Sequence, residues 1–161
     1  MKDSQKTLPH ESYQIIPIGY VTREQSSVYI KVLPSYCLGL KELENFSHIQ
    51  IIWWFSDFDD DESRTTVTFN KMPFDAPELG VFACRSPMRP NPIGLTTEKI
   101  LKVDQDQGLI EVADIDAYDG TPVIDLKAYL PFCDRVQNVK VADWAAHWPA
   151  WLPEEGLSLE E

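Results

Sequence analysis

Apolar residues along this chain cluster in short β-type runs separated by polar or proline-containing breaks. YQIIPIGYVT (13–22) and VYIKVLP (28–34) are rich in Ile, Val and Tyr, and the polar REQSS between them reads as a hairpin connection. Leu38, Leu40, Leu43 and Phe46 in LGLKELENF predict one short helix over 38–46. HIQIIWWFSDF (48–58) is almost continuously apolar and predicts a central strand buried on both faces. RTTVTFN (64–70) and GVFACRS (80–86) predict two more strands, separated by the loop MPFDAPELG.

IGLTTEKILKVDQDQ (93–107) fits a strand by the spacing of its Leu, Ile and Val, although TTEKILKV also suits a helical turn. The QDQG break followed by LIEVADIDAYDG favours the strand, as one arm of a hairpin. PVIDLKAYLP (122–131) sets Val123, Asp125, Lys127 and Tyr129 against Ile124, Leu126, Ala128 and Leu130, a half-buried strand ended by Pro131. VKVADWAAHW (139–148) predicts a helix with Trp144 and Trp148 on one face; with Trp151 it suits packing over the domain or a partner subunit better than a ligand cage. Six or more short strands with few helices predict a mainly β domain, a small closed or nearly closed β-barrel with a short helix and a C-terminal helical segment. The expected organisation is a tail over 1–12, the barrel over 13–135 and a Trp-rich helical extension over 136–161.

Composition narrows the function classes. A chain of 161 residues holds one well-packed domain. It has no apolar run of membrane-spanning length, and its start, MKDSQKTLPHES, has no signal-like apolar core, so the expected location is cytoplasmic. Cys37, Cys84 and Cys133 are odd in number and form no CxxC pair, which argues for free thiols over a disulfide framework or zinc. The formal net charge of -12 repels nucleic acid at long range, so any such contact needs a local basic patch. Arg85, Arg89, Lys99 and Lys102, against Glu98 alone, form one between 85 and 102. The acidic runs DFDDDE (57–62) and LPEEGLSLEE read mostly as solvated loop and tail.

Two segments carry candidate chemistry. In ACRSPMRPNPIGL (83–95), Ser86, Arg89 and Asn91 each precede a proline, which stiffens the loop. Two arginines on a rigid extended loop suit a carboxylate or phosphate site; equally, they suit a tight connector paired with the chain's own acids. In DIDAYDGTPVIDLK (114–127), Asp119-Gly120 marks a turn, and Asp114, Asp116, Asp119 and Asp125 exceed what a turn needs. Such carboxylates accept bonds from a ribose or take a proton from a reacting amine, although a hairpin with solvated aspartates is the plainer reading. His10, His48 and His147 lack metal-ligand spacing, and neither a GxSxG elbow nor a GxGxxG loop is present.

FACRSPMRPNPIGLT, DAYDGTPVIDLKAYLP, ENFSHIQII and IGYV, in this family's order from about Ile15 to Pro131, resemble the TsaA-like family, which includes the tRNA methyltransferase TrmO. The resemblance implies a compact β-barrel that dimerises and binds S-adenosylmethionine, with no metal. It implies methyl transfer to the exocyclic N6 amine of threonylcarbamoyl-adenosine beside the tRNA anticodon. By the same resemblance Arg85, Ser56, Asp57, Thr97, Ile115, Asp116, Ala117 and Tyr118 bind the cofactor. Asp119 and Asn91 are the catalytic candidates, and Arg89 and Lys127 the substrate contacts. Three features depart from the family pattern: REQSS replaces a basic Pro-Gly loop, Ser56-Asp57 stands where His-Gln is usual, and a Trp-rich end replaces a further C-terminal domain. The expectation is a cytoplasmic, homodimeric methyltransferase acting on tRNA. The alternatives are a methyltransferase with a small-molecule acceptor and a non-catalytic dimeric module that binds S-adenosylmethionine or a nucleoside.

Overall fold

The computed structural model describes residues 12–72 and 75–156. Residues 1–11 of the expected tail, with His10, and the LSLEE end lie outside the described residues. Six antiparallel strands close into a barrel in the order β1-β2-β7-β6-β3-β8. They are β1 (Gly19–Glu24), β2 (Ser27–Val32), β3 (His48–Trp54), β6 (Ile93–Asp104), β7 (Leu109–Val112) and β8 (Pro122–Ala128). A separate ribbon pairs β4 (Thr68–Phe69) with β5 (Leu79–Gly80).

Alternation builds the core. Val21, Ile30, Ile49, Ile51, Ile110, Val112 and Val123 point inward and are essentially inaccessible, joined by Ile115 and Ala117 from the β7–β8 loop. Each such aliphatic side chain contributes about 1.5–3 kcal/mol by leaving water. β3 buries only alternate residues, Ile49, Ile51 and Trp53, which corrects the expectation of burial on both faces. Gln50, Ile52 and Trp54 alternate onto the outer face of the barrel, where they are half-buried.

β8 also departs from strict alternation. The register shifts between Ile52 and Trp53: Ile52 faces Asp125 while Trp53 faces Val123, so Ile124 is the extra residue of a bulge. Val123 therefore turns inward with Leu126, which faces Ile51, and Asp125 turns outward with Lys127.

Several local expectations are corrected. The 38–46 helix is instead two 3-10 turns, Pro34–Leu40 and Leu43–Asn45, broken where Glu42 adopts a left-handed φ of 69°. The 48–58 strand stops at Trp54 and passes into a 3-10 turn at Ser56–Phe58. The 64–70 strand shrinks to β4, because its first residues belong to α1 (Asp61–Thr65). Asp60 nucleates that helix by accepting from the Ser63 N–H. The 80–86 strand gives way to a 3-10 turn at Val81–Ala83. After α2 (Pro131–Asp134), the predicted C-terminal helix is only a 3-10 turn at Asp143–Ala145, with the Trp144 and Trp148 rings edge to face at 5.4 Å. Further on, Gly156, at φ +87°, lies where a Cβ would fall 2.4 Å from Glu98 Oε2 and 3.2 Å from the Asp114 nitrogen.

The 93–107 segment is a strand, as the hairpin argument predicts, and β6 with β7 forms that hairpin. β1 and β2 likewise form the predicted hairpin, with Gln25-Ser26 as its turn.

Candidate active site

Antiparallel closure gathers the β1–β2 turn, the β7–β8 loop (113–121), the exit of β3 and the start of β6 at one mouth of the barrel. β6 is uneven there. Its first half pairs with β3 alone, since its ladder to β7 begins only at Ile100. The 113–121 loop occupies the exposed side of that half-strand.

Two predicted residues dock on neighbouring positions of this edge. Arg85 donates from its guanidinium to the Leu95 carbonyl at 3.3 Å, and Asp116 accepts from the Thr96 hydroxyl at 2.6 Å. Arg85 is exposed and has no carboxylate partner among the described residues. Arg89, four residues on, turns inward instead. Its guanidinium donates to the carbonyls of Ser86 (2.7 Å), Val81 (3.0 Å) and Cys84 (2.7 Å), so it holds the loop together. The connector role thus falls to Arg89, and neither arginine pairs with a carboxylate among the described residues.

The 113–121 loop is clamped from outside by Arg23. Its guanidinium donates to the carbonyls of Ala117 (3.0 Å) and Ile115 and to Asp114 Oδ1 (3.1 Å). The Arg23 backbone N–H donates to Asp119 Oδ1 at 2.9 Å, so one oxygen of Asp119 is committed to loop geometry. Gly120, at φ +78°, lets the chain turn so that its N–H reaches the Val21 carbonyl at 2.9 Å. Ile115 and Ala117 are buried, whereas Asp116, Tyr118 and Asp119 remain exposed.

The other predicted residues divide by position. Ser56 and Asp57 lie exposed in the turn that leaves β3 at the same mouth, and Asn91 is exposed in the proline loop. Thr97 and Lys127 do not join them. Both face Gln50, in one row across the outer wall formed by β6, β3 and β8. Lys127 pairs there with Asp125 at 2.7 Å, a bond that raises its pKa above the usual 10.5.

The acidic run after β3 is more structural than the solvated-loop reading expects. Asp59 accepts from Arg64 Nε at 2.5 Å and from the Trp54 indole at 3.0 Å. Arg64 also reaches the Pro90 carbonyl at 3.1 Å, tying α1 to the proline loop. The Arg64 bond, then the Trp54 bond, lower the Asp59 pKa below the ordinary 3.8. The Ser63 backbone and hydroxyl bonds do the same for Asp60.

Sequence reading missed Arg23, Arg64, Trp53 and Thr96. Arg23 carried one usable signal, a lone cation beside the first hairpin turn of an acidic chain. Thr96 sits inside the quoted RPNPIGLT string, one place before the residue singled out. Among the described residues no three His, Cys, Asp or Glu side chains converge as a metal site would require, and no helix is long and apolar enough to cross a membrane.

A closed six-stranded antiparallel barrel, with an arginine-bearing proline loop and a carboxylate loop at one mouth, sets this domain in the class of small β-barrels, distinct from doubly wound sheets. The chain belongs to the family described as tRNA-methyltransferase O N-terminal domain, whose model matches residues 7–135. It is 37% identical over 134 residues to a probable S-adenosyl-L-methionine-binding protein of Archaeoglobus fulgidus, covering 83% of this chain and 34% of that one. It is 33% identical over 133 residues to the tRNA (adenine(37)-N6)-methyltransferase of Escherichia coli, covering 76% of this chain and 56% of the relative. The chain thus spans about a third and about half of these two relatives' lengths. The crystal structure of TrmO from Pseudomonas aeruginosa superposes with a TM-score of 0.63 at 25% identity, covering 83% of this chain and 62% of that chain.

Proposed function

We propose that this protein is an S-adenosylmethionine-dependent methyltransferase acting on the N6 amine of adenosine 37 in tRNA, with the threonylcarbamoyl-modified base as its acceptor. Function as a cytoplasmic homodimer belongs to the same proposal. The names of the archaeal and E. coli relatives support the cofactor and the reaction class. The observation that carries the reading is local. In a chain of net charge -12, Arg85 keeps a guanidinium without a carboxylate partner, and on the next position of β6 Asp116 keeps one carboxylate oxygen without a partner among the described residues. This opposite-signed pair is complementary to the carboxylate and ammonium of an amino-acid moiety, which S-adenosylmethionine carries.

When bound, the cofactor supplies a sulfonium methyl already activated for transfer. The chain's own residues then have to hold, orient and exclude water. Arg85 binds an anionic group, Asp116 accepts from a donor, and buried Ile115 and Ala117 fix the loop between them. Asn91, exposed in the proline loop, is the candidate contact for an acceptor base, and Asp119 sets the loop shape through Arg23. Arg89 keeps the proline loop folded.

A second reading gives the same cofactor a small-molecule acceptor. It is favoured by the short Gln25-Ser26 turn at this mouth and by the acidic α1 segment docked against the proline loop, both of which reduce the positive surface open to RNA.

Labelled methyl incorporation into tRNA bearing threonylcarbamoyl-adenosine tests both. The wild type transfers methyl, and Arg85→Ala weakens cofactor binding about 10- to 100-fold, the range for losing a charge-assisted bond. Cofactor binding without transfer to any tRNA shifts the assignment to the second reading.

A further inference from the structure

We infer that Gly94, Trp53 and Thr96 form an inner strut that fixes the direction of the Asp116 carboxylate, making Trp53 and Thr96 positioning residues of the site. Both are almost wholly buried, at 3% and 1% exposure. The Trp53 indole N–H donates to Thr96 Oγ1 at 3.0 Å. An indole nitrogen only donates, so the threonine hydroxyl is the acceptor of that bond and its single proton is left to go elsewhere. It goes to Asp116 Oδ1, at 2.6 Å. The chain of bonds therefore has one polarity, from the barrel interior to the loop, and it commits Oδ1 of Asp116 as an acceptor.

Gly94 explains why the indole can lie there. Gly94 faces Trp53 across the β3–β6 ladder, and a Cβ on it would fall 2.4 Å from Trp53 Cε2 and 2.7 Å from Cδ2. The glycine of RPNPIG thus serves to seat a ring, not to turn the chain. Phe55, with its ring centre 4.2 Å from that of Trp53, packs on the indole from another side. On the outside, Arg23 grips the carbonyls of Ile115 and Ala117, the two residues flanking Asp116. Backbone and side chain of residue 116 are held independently. The second carboxylate oxygen is left pointing in a set direction as an acceptor for a ligand N–H or O–H. The inference rests on the proposed cofactor only for the identity of that ligand.

The test uses the full chain and two readouts. In the ligand-free protein, NMR of the Trp53 indole proton reads the strut directly. Wild type and Thr96→Ser keep a slowly exchanging proton, while Thr96→Val shifts it and speeds its exchange at least about 10-fold. Calorimetric titration with S-adenosylmethionine reads the consequence. Thr96→Val and Asp116→Asn each weaken binding about 10-fold, Thr96→Ser restores it to within about threefold, and Thr96→Val adds nothing in the Asp116→Asn background. Equal weakening by Thr96→Val in both backgrounds, or an indole proton indifferent to the substitution, overturns the inference. Should Thr96→Val not fold, Asp116→Asn at an exposed position decides: it must shift the indole proton, and an unmoved signal overturns the strut. Failure of the wild type to bind S-adenosylmethionine removes the proposed cofactor, and the strut then stands or falls on the indole proton alone.

Discussion

At the mouth built from Arg85–Asn91 and Asp114–Asp119, side chains hold the backbone in place: Arg23 and Arg89 between them bond five carbonyls. At the opposite mouth the Pro34–Asn45 turns lie over a cavity of about 470 Å³ whose walls include Leu40, Phe46, Ile49 and Leu126. A volume of that size is ordinary for a ligand pocket. Its walls also carry Lys41 and Asp125, but it lies at the other end of the barrel from Arg85 and Asp116. On the proposed reading, the difference teaches that the marker of the site is pre-paid polar geometry and not empty volume, because fixed donors and acceptors cost no further ordering when a ligand arrives.

Substitutions at the two mouths break the comparison if it is wrong. The largest effect on stability is expected at the cavity mouth. Leu40→Ala, at a residue 3% exposed, costs about 2–5 kcal/mol in denaturant unfolding yet leaves S-adenosylmethionine affinity within about twofold. A parallel loss of affinity would make the two mouths one unit. Two glycines sharpen the contrast. Gly94→Ala drives a methyl into the Trp53 ring and costs about 1–3 kcal/mol, with weaker cofactor binding. Gly39→Ala meets nothing within 4 Å and stabilises by about 0.4–1 kcal/mol through the unfolded chain. Thermal melts of the pair should move in opposite directions.

The smallest effect is an acid one. Asp59 and Asp60 both have pKa values below the ordinary 3.8, so their stabilisation of α1 is full above that value and fades as pH falls through the lower folded-state values. Unfolding midpoints of wild type and Asp60→Ala should therefore converge over the pH window below about 4. Midpoints that keep a constant separation through that window would show that Asp60 caps nothing.

Legibility followed the range of the interactions. β1 and β2 were readable because a period of two is written locally and needs only one wet face. β6 was readable only as a hairpin arm, since its own inner face is Gly94, Thr96 and Glu98 while Leu95 and Leu101 are exposed. GVFACRS was misread because its β propensity yields to a turn held by Arg89, whose partner Val81 lies eight residues back. The VKVADWAAHW helix was misread because two tryptophans at helical spacing meet edge to face around a single 3-10 turn just as well. In the acidic run, pairing with Arg64 and capping of α1 converted what looked like solvated charge into structure.

By itself the sequence determined the mainly β character, the two hairpins, the stiffness of the proline loop and the strings that resemble the family. Only the tertiary structure decided which arginine holds the loop and which one stays exposed without a carboxylate partner among the described residues. It alone also brought Trp53 to Thr96, 43 residues away, and Thr96 to Asp116, 20 residues away. The reason is physical: alternation and proline stiffness act between neighbours, whereas the direction of a buried hydrogen bond is set by cross-strand register, which exists only once the barrel has closed.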